Sequence, residues 1–149
     1  MSPRPINNPP VYPQKTPPLR VLLAEDEPVA QRVMRALLEK LGCVTVLARN
    51  GREALARYHA ERFDLVLTDV QMPELDGVAL TDALRSLETA GAHVPIIGIT
   101  AHVKKGDREQ CVAAGMDGFV PKPILPSVLF GEIERVLGGR ARNATGTET

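Results

Sequence analysis

Acidic, hydroxyl and amino side chains follow short apolar runs at four places in this chain of 149 residues. Glu25 and Asp26 follow the run RVLLA, and Asp69 follows LVLT. Thr100 follows PIIGI, and Lys122 follows GFVP. If each run is a strand of one parallel sheet, these side chains meet where the strands end, which is where ligands bind in such folds.

The three acidic side chains of this set need a cation, because carboxylates in one crevice repel each other and raise each other's pKa. Oxygen ligands with retained waters suit Mg²⁺, with Mn²⁺ as an alternative. A carboxylate can also act as a nucleophile toward phosphorus and form an aspartyl phosphate. An ammonium and a hydroxyl group stabilise the charge on the phosphoryl oxygens, and Lys122 and Thr100 supply these two groups.

Each of these residues taken singly has an ordinary structural explanation. An aspartate at a strand end is commonly a helix cap or a turn residue, and a lysine is usually on the surface. The specific signal is their joint occurrence at successive strand ends in this order.

The elements that position these residues alternate along the chain. Pro28 opens a helix with apolar residues at helical spacing, and Asn50 caps a second helix through about residue 60. A more polar helix covers roughly residues 105–114, and a last helix runs from Pro126 to Gly138. Five strands that are apolar on both faces, each followed by a helix, predict an α/β domain with a parallel sheet covered on both sides.

Two terminal segments differ in composition from the domain predicted at residues 19–138. Residues 1–18 contain seven prolines, which favours a disordered tail or linker, with a docking peptide as the alternative. Residues 139–149 are polar, and we expect a disordered tail there.

The composition excludes several classes of function. The formal net charge is zero, so no bulk attraction to nucleic acid or to anionic membranes is expected. No apolar run reaches the roughly 20 residues of a membrane helix, and the two cysteines form no metal-binding motif. The cytoplasm is the expected location, and direct DNA binding is not expected because no helix-turn-helix pattern follows residue 138.

Four segments together resemble a known family. They are LLAEDEP (22–28), LTDVQMPELDG (67–77), ITA (99–101) and GMDGFVPKP (115–123). They closely resemble the receiver domain of two-component response regulators, above all the receivers of hybrid histidine kinases. The resemblance implies a flavodoxin-like, doubly wound (βα)5 fold whose five-stranded parallel sheet has the order 2-1-3-4-5.

The resemblance also implies the roles of the acidic residues. Asp69 is the phosphoacceptor, which takes a phosphoryl group from a phosphohistidine of a histidine kinase or a histidine phosphotransfer domain. Asp26, Asp69 and the backbone carbonyl of Gln71 bind Mg²⁺. Glu25 acts through water or assists, since the family more often has aspartate there.

The remaining implied roles concern switching and the lifetime of the phosphate. Thr100 and Lys122 bind the phosphoryl group, and Thr100 moves inward. Phe119 occupies the aromatic switch position, where it can act only by steric and apolar contact. Gln71 and His102 tune hydrolysis. The bond between Lys122 and Pro123 is expected to be cis.

The expected function is signalling through protein contacts. Phosphorylation switches the surface of the fourth helix, fifth strand and fifth helix toward a downstream protein or a kinase domain in cis. The fourth helix is the expected mobile element, because few of its side chains are apolar. Self-catalysed phosphoryl transfer and autodephosphorylation are expected, without turnover. The alternative is a phosphatase with an aspartyl nucleophile, but that class usually has a second aspartate where Gln71 stands. A stand-alone receiver and a fragment of a hybrid kinase both remain open.

Overall fold

The computed structural model describes residues 18–72, 74–89, 91–101 and 105–145. Five strands and five helices alternate along this part of the chain. In order they are β1 (Arg20–Ala24), α1 (Pro28–Lys40), β2 (Val44–Ala48), α2 (Gly51–Ala60), β3 (Leu65–Asp69), α3 (Gly77–Leu87), β4 (Ile96–Thr100), α4 (Lys105–Ala114), β5 (Gly118–Pro121) and α5 (Pro126–Thr145).

All five strands are parallel and lie in the order β2-β1-β3-β4-β5, which confirms the predicted sheet. Backbone hydrogen bonds continue past the strand ends. Glu25 N donates to Ala48 O at 3.0 Å, and Lys122 N donates to Thr100 O at 2.8 Å. The residues after β1 and β5 are therefore held at the same edge of the sheet as Thr100.

Alternate side chains of the strands enter two cores on opposite faces of the sheet. One core packs against α1 and α5 and includes Leu23, Leu67 and Ile99. The other packs against α2, α3 and α4 and includes Leu22, Val66 and Ile96. Because every strand is apolar on both faces, the sheet is enclosed between two layers of helices.

The same alternation assigns the strand-end residues to faces. Asp69 follows Leu65 and Leu67 at intervals of two, so it belongs to the α1 and α5 side of β3. Thr100 follows Ile96 at an even interval, and Phe119 packs against the core on the α4 side. The predicted phosphoacceptor and the two predicted switch residues thus belong to opposite faces.

Local capping accounts for the starts of α1, α2 and α3. Asn50 accepts a hydrogen bond from Glu53 N at 2.7 Å, and Asp76 accepts one from Ala79 N at 2.9 Å. Pro28 occupies the first turn of α1, where its missing N–H is not needed. These features confirm the predicted starts at Pro28 and Asn50. The bond between Lys122 and Pro123 is cis, as expected.

One predicted helix end is wrong. Helix α5 does not stop at Gly138 but continues through Gly139 to Thr145. A glycine inside a helix costs only about 1 kcal/mol relative to alanine, so it does not end a helix by itself. The proline-rich residues 1–17 and the last four, 146–149, lie outside the described residues. In the described part of the chain, no helix is both long and apolar enough to cross a membrane.

Candidate functional site

Three acidic side chains meet at the carboxyl edge of the sheet, as predicted. Glu25 and Asp26 directly follow β1, and Asp69 is the last residue of β3. One carboxylate oxygen from each of the three lies within 4.8 Å of the others. Glu25 is fully buried and Asp69 is 6% exposed, whereas Asp26 is exposed. The strands therefore bring residues from distant parts of the chain into one acidic crevice.

The ammonium group of Lys122 faces two of these acids. Lys122 Nζ lies 3.0 Å from Asp69 Oδ2, where it donates a hydrogen bond, and 3.6 Å from Glu25 Oε1. Burial acts to lower the pKa of Lys122, but the hydrogen bond and charge of Asp69, together with the charge of Glu25, outweigh it and raise this pKa. Lys122 is therefore firmly protonated and offsets one of the negative charges.

The surroundings of Glu25 disfavour the charged form of its carboxyl group. Burial, followed by the negative charge of Asp69, raises the pKa of Glu25 to about 7. Its Oε2 accepts a hydrogen bond from Glu27 N at 3.1 Å. Its buried Oε1 has no hydrogen-bond partner among the described residues. Such an atom is costly to leave unsatisfied, which indicates that another group belongs beside it.

The donor set fits a divalent cation. Three carboxylates share one crevice, and Lys122 is paired with two of them. The available ligands are oxygens, which hard cations such as Mg²⁺ prefer. A cation would also provide a partner, directly or through water, for the buried Oε1 of Glu25, which accepts no hydrogen bond from the described residues. Asp26, which is exposed, is accessible to an ion that keeps part of its water shell.

Both oxygens of the Asp69 carboxylate are oriented by the protein. Gln71 N donates to Oδ1 at 3.0 Å, and Lys122 Nζ donates to Oδ2. The amide of Gln71 is thereby held beside the carboxylate. Thr100 is 9% exposed and follows Ile99, the residue of β4 that pairs with Asp69.

The loop between β3 and α3 approaches the site closely. Gly77 N donates to Val70 O at 2.9 Å, and a Cβ atom at Gly77 would lie only 2.5 Å from Asp69 O. Glycine is therefore needed at residue 77 for close packing. Pro73 of this loop lies outside the described residues, and so does His102, which was predicted to tune the lifetime of the phosphate.

The family comparison agrees with this geometry. The family model for the response regulator receiver domain matches residues 21–134, which is more than half of the chain. The chain belongs to this receiver-domain family. Receiver domains are signalling modules, so the match places the acidic crevice in a two-component signalling protein.

One relative of similar length is "Polar-differentiation response regulator DivK" of Brucella anthropi, which is 35% identical over 121 residues that cover 81% of this chain and 98% of that protein. This chain is also 41% identical over 119 residues to a much larger protein, "Hybrid signal transduction histidine kinase I" of Dictyostelium discoideum. That alignment covers 76% of this chain and only 7% of the kinase. The receiver domain thus spans a small fraction of this relative.

Two solved structures are also similar. The receiver domain of sensor histidine kinase PA1611 from Pseudomonas aeruginosa PAO1 is 38% identical, with a TM-score of 0.73 over 80% of this chain and 98% of that one. Its crystal structure has a magnesium ion coordinated in the active site cleft. A chain in the co-crystal structure of Saccharomyces cerevisiae Ypd1, a histidine phosphotransfer protein, with the receiver domain of Ssk1 is 25% identical, with a TM-score of 0.74 over 85% and 91% of the two chains.

The surroundings of Phe119 in the receiver domain were not anticipated. The guanidinium group of Arg108, from α4, lies 5.2 Å from the centre of the Phe119 ring. Phe119 N donates to Glu132 Oε2 of α5 at 2.9 Å, and Glu132 is also paired with Arg135 at 2.8 Å. Sequence patterns gave no signal for the Arg108 contact, since only the packing of α4 beside β5 brings the two side chains together.

Replacement of Glu25 tests the electrostatics of the site without metal. The folded protein binds a proton at Glu25 more tightly than the unfolded chain does, because the pKa rises from 4.5 to about 7. Stability is therefore lost as pH rises through this window. We expect Glu25→Gln to remove this loss and to raise the free energy of unfolding at pH 8 by about 2 kcal/mol, with a smaller gain at pH 5.

Denaturant unfolding in the presence of EDTA measures this effect. Glu39→Gln, at an exposed position of α1, is the matched control and should change stability little at either pH. An equal gain for Glu25→Gln at pH 5 and pH 8 would show that the buried charge of Glu25 is not its source.

Proposed function

We propose that this receiver domain is phosphorylated at Asp69 by a phosphohistidine in the presence of Mg²⁺ and thereby controls a protein contact. The observation that carries this proposal is the geometry of the Asp69 carboxylate. It is held between Gln71 N and Lys122 Nζ, at hydrogen-bond distances of 3.0 Å each, in a crevice with two further carboxylates.

The metal ligands we propose are the carboxylates of Asp26 and Asp69 and the backbone carbonyl of Gln71, with Glu25 acting through water or assisting. A bound Mg²⁺ would supply positive charge to the acidic crevice and to the oxygens of the transferring phosphoryl group. Mn²⁺, which also accepts oxygen ligands, is the alternative ion.

Transfer needs little covalent chemistry from the protein beyond the nucleophile. An oxygen of Asp69 forms a bond to phosphorus while the bond from phosphorus to the imidazole nitrogen of the donor breaks, and the electron pair of that bond stays on the imidazole. Lys122 then pairs with a phosphoryl oxygen instead of Asp69 Oδ2. The hydroxyl group of Thr100 donates to another phosphoryl oxygen. Hydrolysis of the acyl phosphate by water returns Asp69, with Gln71 and His102 as the residues that tune its rate.

The output we propose is a change in α4, β5 and α5. Movement of Thr100 toward the phosphoryl group opens space on the α4 side of the sheet, and Phe119 responds by apolar contact. Helix α4 is the element that shifts most readily. Among its described side chains, residues 108–114, Cys111 alone is buried, so little apolar area opposes its displacement.

The partners follow from this chemistry. The donor is a histidine kinase or a histidine phosphotransfer domain, a proposal supported by the similarity to a chain in the Ypd1–Ssk1 complex. The reader of the switched surface is a downstream protein or a kinase domain in the same polypeptide. The similarity to a hybrid kinase supports the second arrangement, and a stand-alone receiver is the alternative.

Stoichiometry separates this proposal from the phosphatase alternative. With Mg²⁺ and either a phosphorylated histidine phosphotransfer protein or acetyl phosphate, intact-mass measurement should show addition of a single phosphoryl group that decays after the donor is removed. Incubation with a general phosphoester such as p-nitrophenyl phosphate should give no sustained product release. Continuous hydrolysis of that ester that depends on Asp69 would refute the receiver function and support a phosphatase.

A further inference from the structure

The β3–α3 loop, residues 70–76, carries Gln71, whose backbone amide donates to the Asp69 carboxylate. One end of this loop is fastened next to β3. Gly77 N donates to Val70 O at 2.9 Å, and the Gly77 backbone lies directly against Asp69 O. The position of Gln71 therefore also depends on what holds the remainder of the loop.

A second contact holds the loop: Leu75 packs against Gly51, the first residue of α2. A Cβ atom built at Gly51 would lie 1.8 Å from Leu75 O and 2.7 Å from Leu75 Cβ. Ordinary contacts of a Cβ atom are 3.4 Å or more. The obstacle is a backbone carbonyl rather than the end of a flexible side chain, so a methyl group at residue 51 requires the loop or the helix to move.

Helix α2 is the less movable of the two partners. Asn50 Oδ1 accepts from Glu53 N, and Glu53 Oε1 accepts from Arg49 N, each at 2.7 Å. These two hydrogen bonds tie Glu53 to both Asn50 and Arg49 and fix the first turn of the helix, in the manner of a capping box. Gly51 itself is buried. A methyl group at Gly51 is therefore expected to displace Leu75 rather than α2.

The loop also contains a strained residue close to this contact. Glu74 has a φ of 72°, in the left-handed region that residues other than glycine rarely adopt. Such a conformation persists only where neighbouring contacts impose it. Arg52 reaches Glu74 at 3.5 Å, but this exposed ion pair contributes little. The close contact between Leu75 and Gly51 therefore constrains the loop conformation more than this ion pair does.

We propose that Gly51 is a positioning residue for the phosphorylation site. By letting Leu75 lie directly on the first turn of α2, Gly51 fixes the loop that presents the Gln71 amide to Asp69 and the Gln71 carbonyl to the metal. The metal part of this inference rests on the function proposed above. The effect on the Gln71 amide does not.

The test compares Gly51→Ala with Gly131→Ala. Gly131 is an exposed residue of α5 with no atom within 4 Å of a built Cβ, so it is a matched control for the glycine-to-alanine change. In metal-free protein, the Gln71 amide resonance in NMR spectra should shift in Gly51→Ala and stay in place in Gly131→Ala. Calorimetric titration with Mg²⁺ should show a dissociation constant raised roughly 10-fold in Gly51→Ala only, a loss typical of groups that orient metal ligands.

Kinetics distinguish positioning from a general loss of structure. With acetyl phosphate, Gly51→Ala should require more Mg²⁺ for half-maximal phosphorylation yet recover most of the wild-type rate at saturating Mg²⁺. A folded Gly51→Ala variant with the wild-type Gln71 resonance and wild-type Mg²⁺ affinity would overturn the proposal. A Gly51→Ala variant that has a lower unfolding temperature but an unchanged Gln71 resonance and an unchanged Mg²⁺ affinity would also overturn it.

A second variant covers the case in which Gly51→Ala does not fold. Leu75→Ala keeps the carbonyl group and Cβ that lie against Gly51, so it introduces no overlap. It removes the half-buried part of the side chain that packs against the core on the α2 and α3 side and helps to hold the loop there. It should shift the Gln71 amide and weaken Mg²⁺ binding in the same direction, by a smaller factor. Wild-type values in this variant would show that the position of Leu75 does not control Gln71 and would overturn the proposal. If wild-type protein takes no phosphoryl group, the proposed function fails, while the Gln71 resonance in metal-free protein still decides the role of Gly51.

Discussion

Asp69→Asn is expected to abolish phosphorylation of this receiver domain. The amide that replaces the carboxylate is a poor nucleophile toward phosphorus. Of the three described acids in the crevice, Asp69 is the one whose carboxylate accepts hydrogen bonds at both oxygens, from Gln71 N and Lys122 Nζ. Removal of an essential nucleophile costs several orders of magnitude in rate. Intact-mass measurement after incubation with acetyl phosphate and Mg²⁺ should show no phosphorylated species within the time that fully modifies the wild type.

The control for this experiment is Asp82→Asn. Asp82 is an exposed acid of α3, and its replacement makes the same chemical change away from the crevice. This variant should be phosphorylated at the wild-type rate. Equal phosphorylation of Asp69→Asn and wild-type protein would refute the assignment of Asp69 as the phosphoacceptor. Asp26, the exposed acid of the crevice, would then be the next candidate.

Lys122→Ala is the second variant with a large expected effect. Its ammonium group is 3.0 Å from Asp69 and is the partner that would neutralise a phosphoryl oxygen. Loss of one preorganised electrostatic group of this kind lowers a rate by about 100-fold or more. The rate of phosphorylation by acetyl phosphate should fall accordingly. Mg²⁺ binding should persist, because the three carboxylates remain and lose a competing positive charge.

The conformational response is the sharper readout for Lys122→Ala. When the variant is loaded with beryllofluoride, which mimics the phosphoryl group, the NMR resonances of α4 and Phe119 should move much less than in the wild type. Lys40→Ala, at an exposed position of α1, is the control and should respond normally. A full response of α4 in the absence of Lys122 would mean that Thr100 alone transmits the change.

The alternation of strands and helices was predictable because its determinants are local in the sequence, whereas the strand order 2-1-3-4-5 came from the family resemblance. The strands are apolar on both faces. Asn50 begins a helix through its side-chain oxygen, and Pro28 begins one through its fixed backbone conformation. The meeting of Glu25, Asp69 and Lys122 followed from a single topological rule, since parallel strands present their ends at one edge.

Other features depended on tertiary contacts that no pattern encodes. Gly138 was interpreted as a helix end, but one glycine is a weak signal when α5 continues beyond it. The contact of Arg108 with Phe119 and the close approach of Gly51 to Leu75 arise only when elements far apart in the chain pack together. The raised pKa of Glu25 likewise reflects complete burial, which its charged side chain does not suggest.

The division of the strand ends between two faces of the sheet has a kinetic consequence. Asp69 belongs to the side of α1 and α5, whereas Thr100 and Phe119 belong to the side of α4. Under the proposed function, a donor protein that delivers its phosphoryl group to Asp69 need not cover α4. In that case the donor and the output partner bind the domain together in one ternary complex. The response then begins before the donor dissociates, and its rate does not depend on the residence time of the donor.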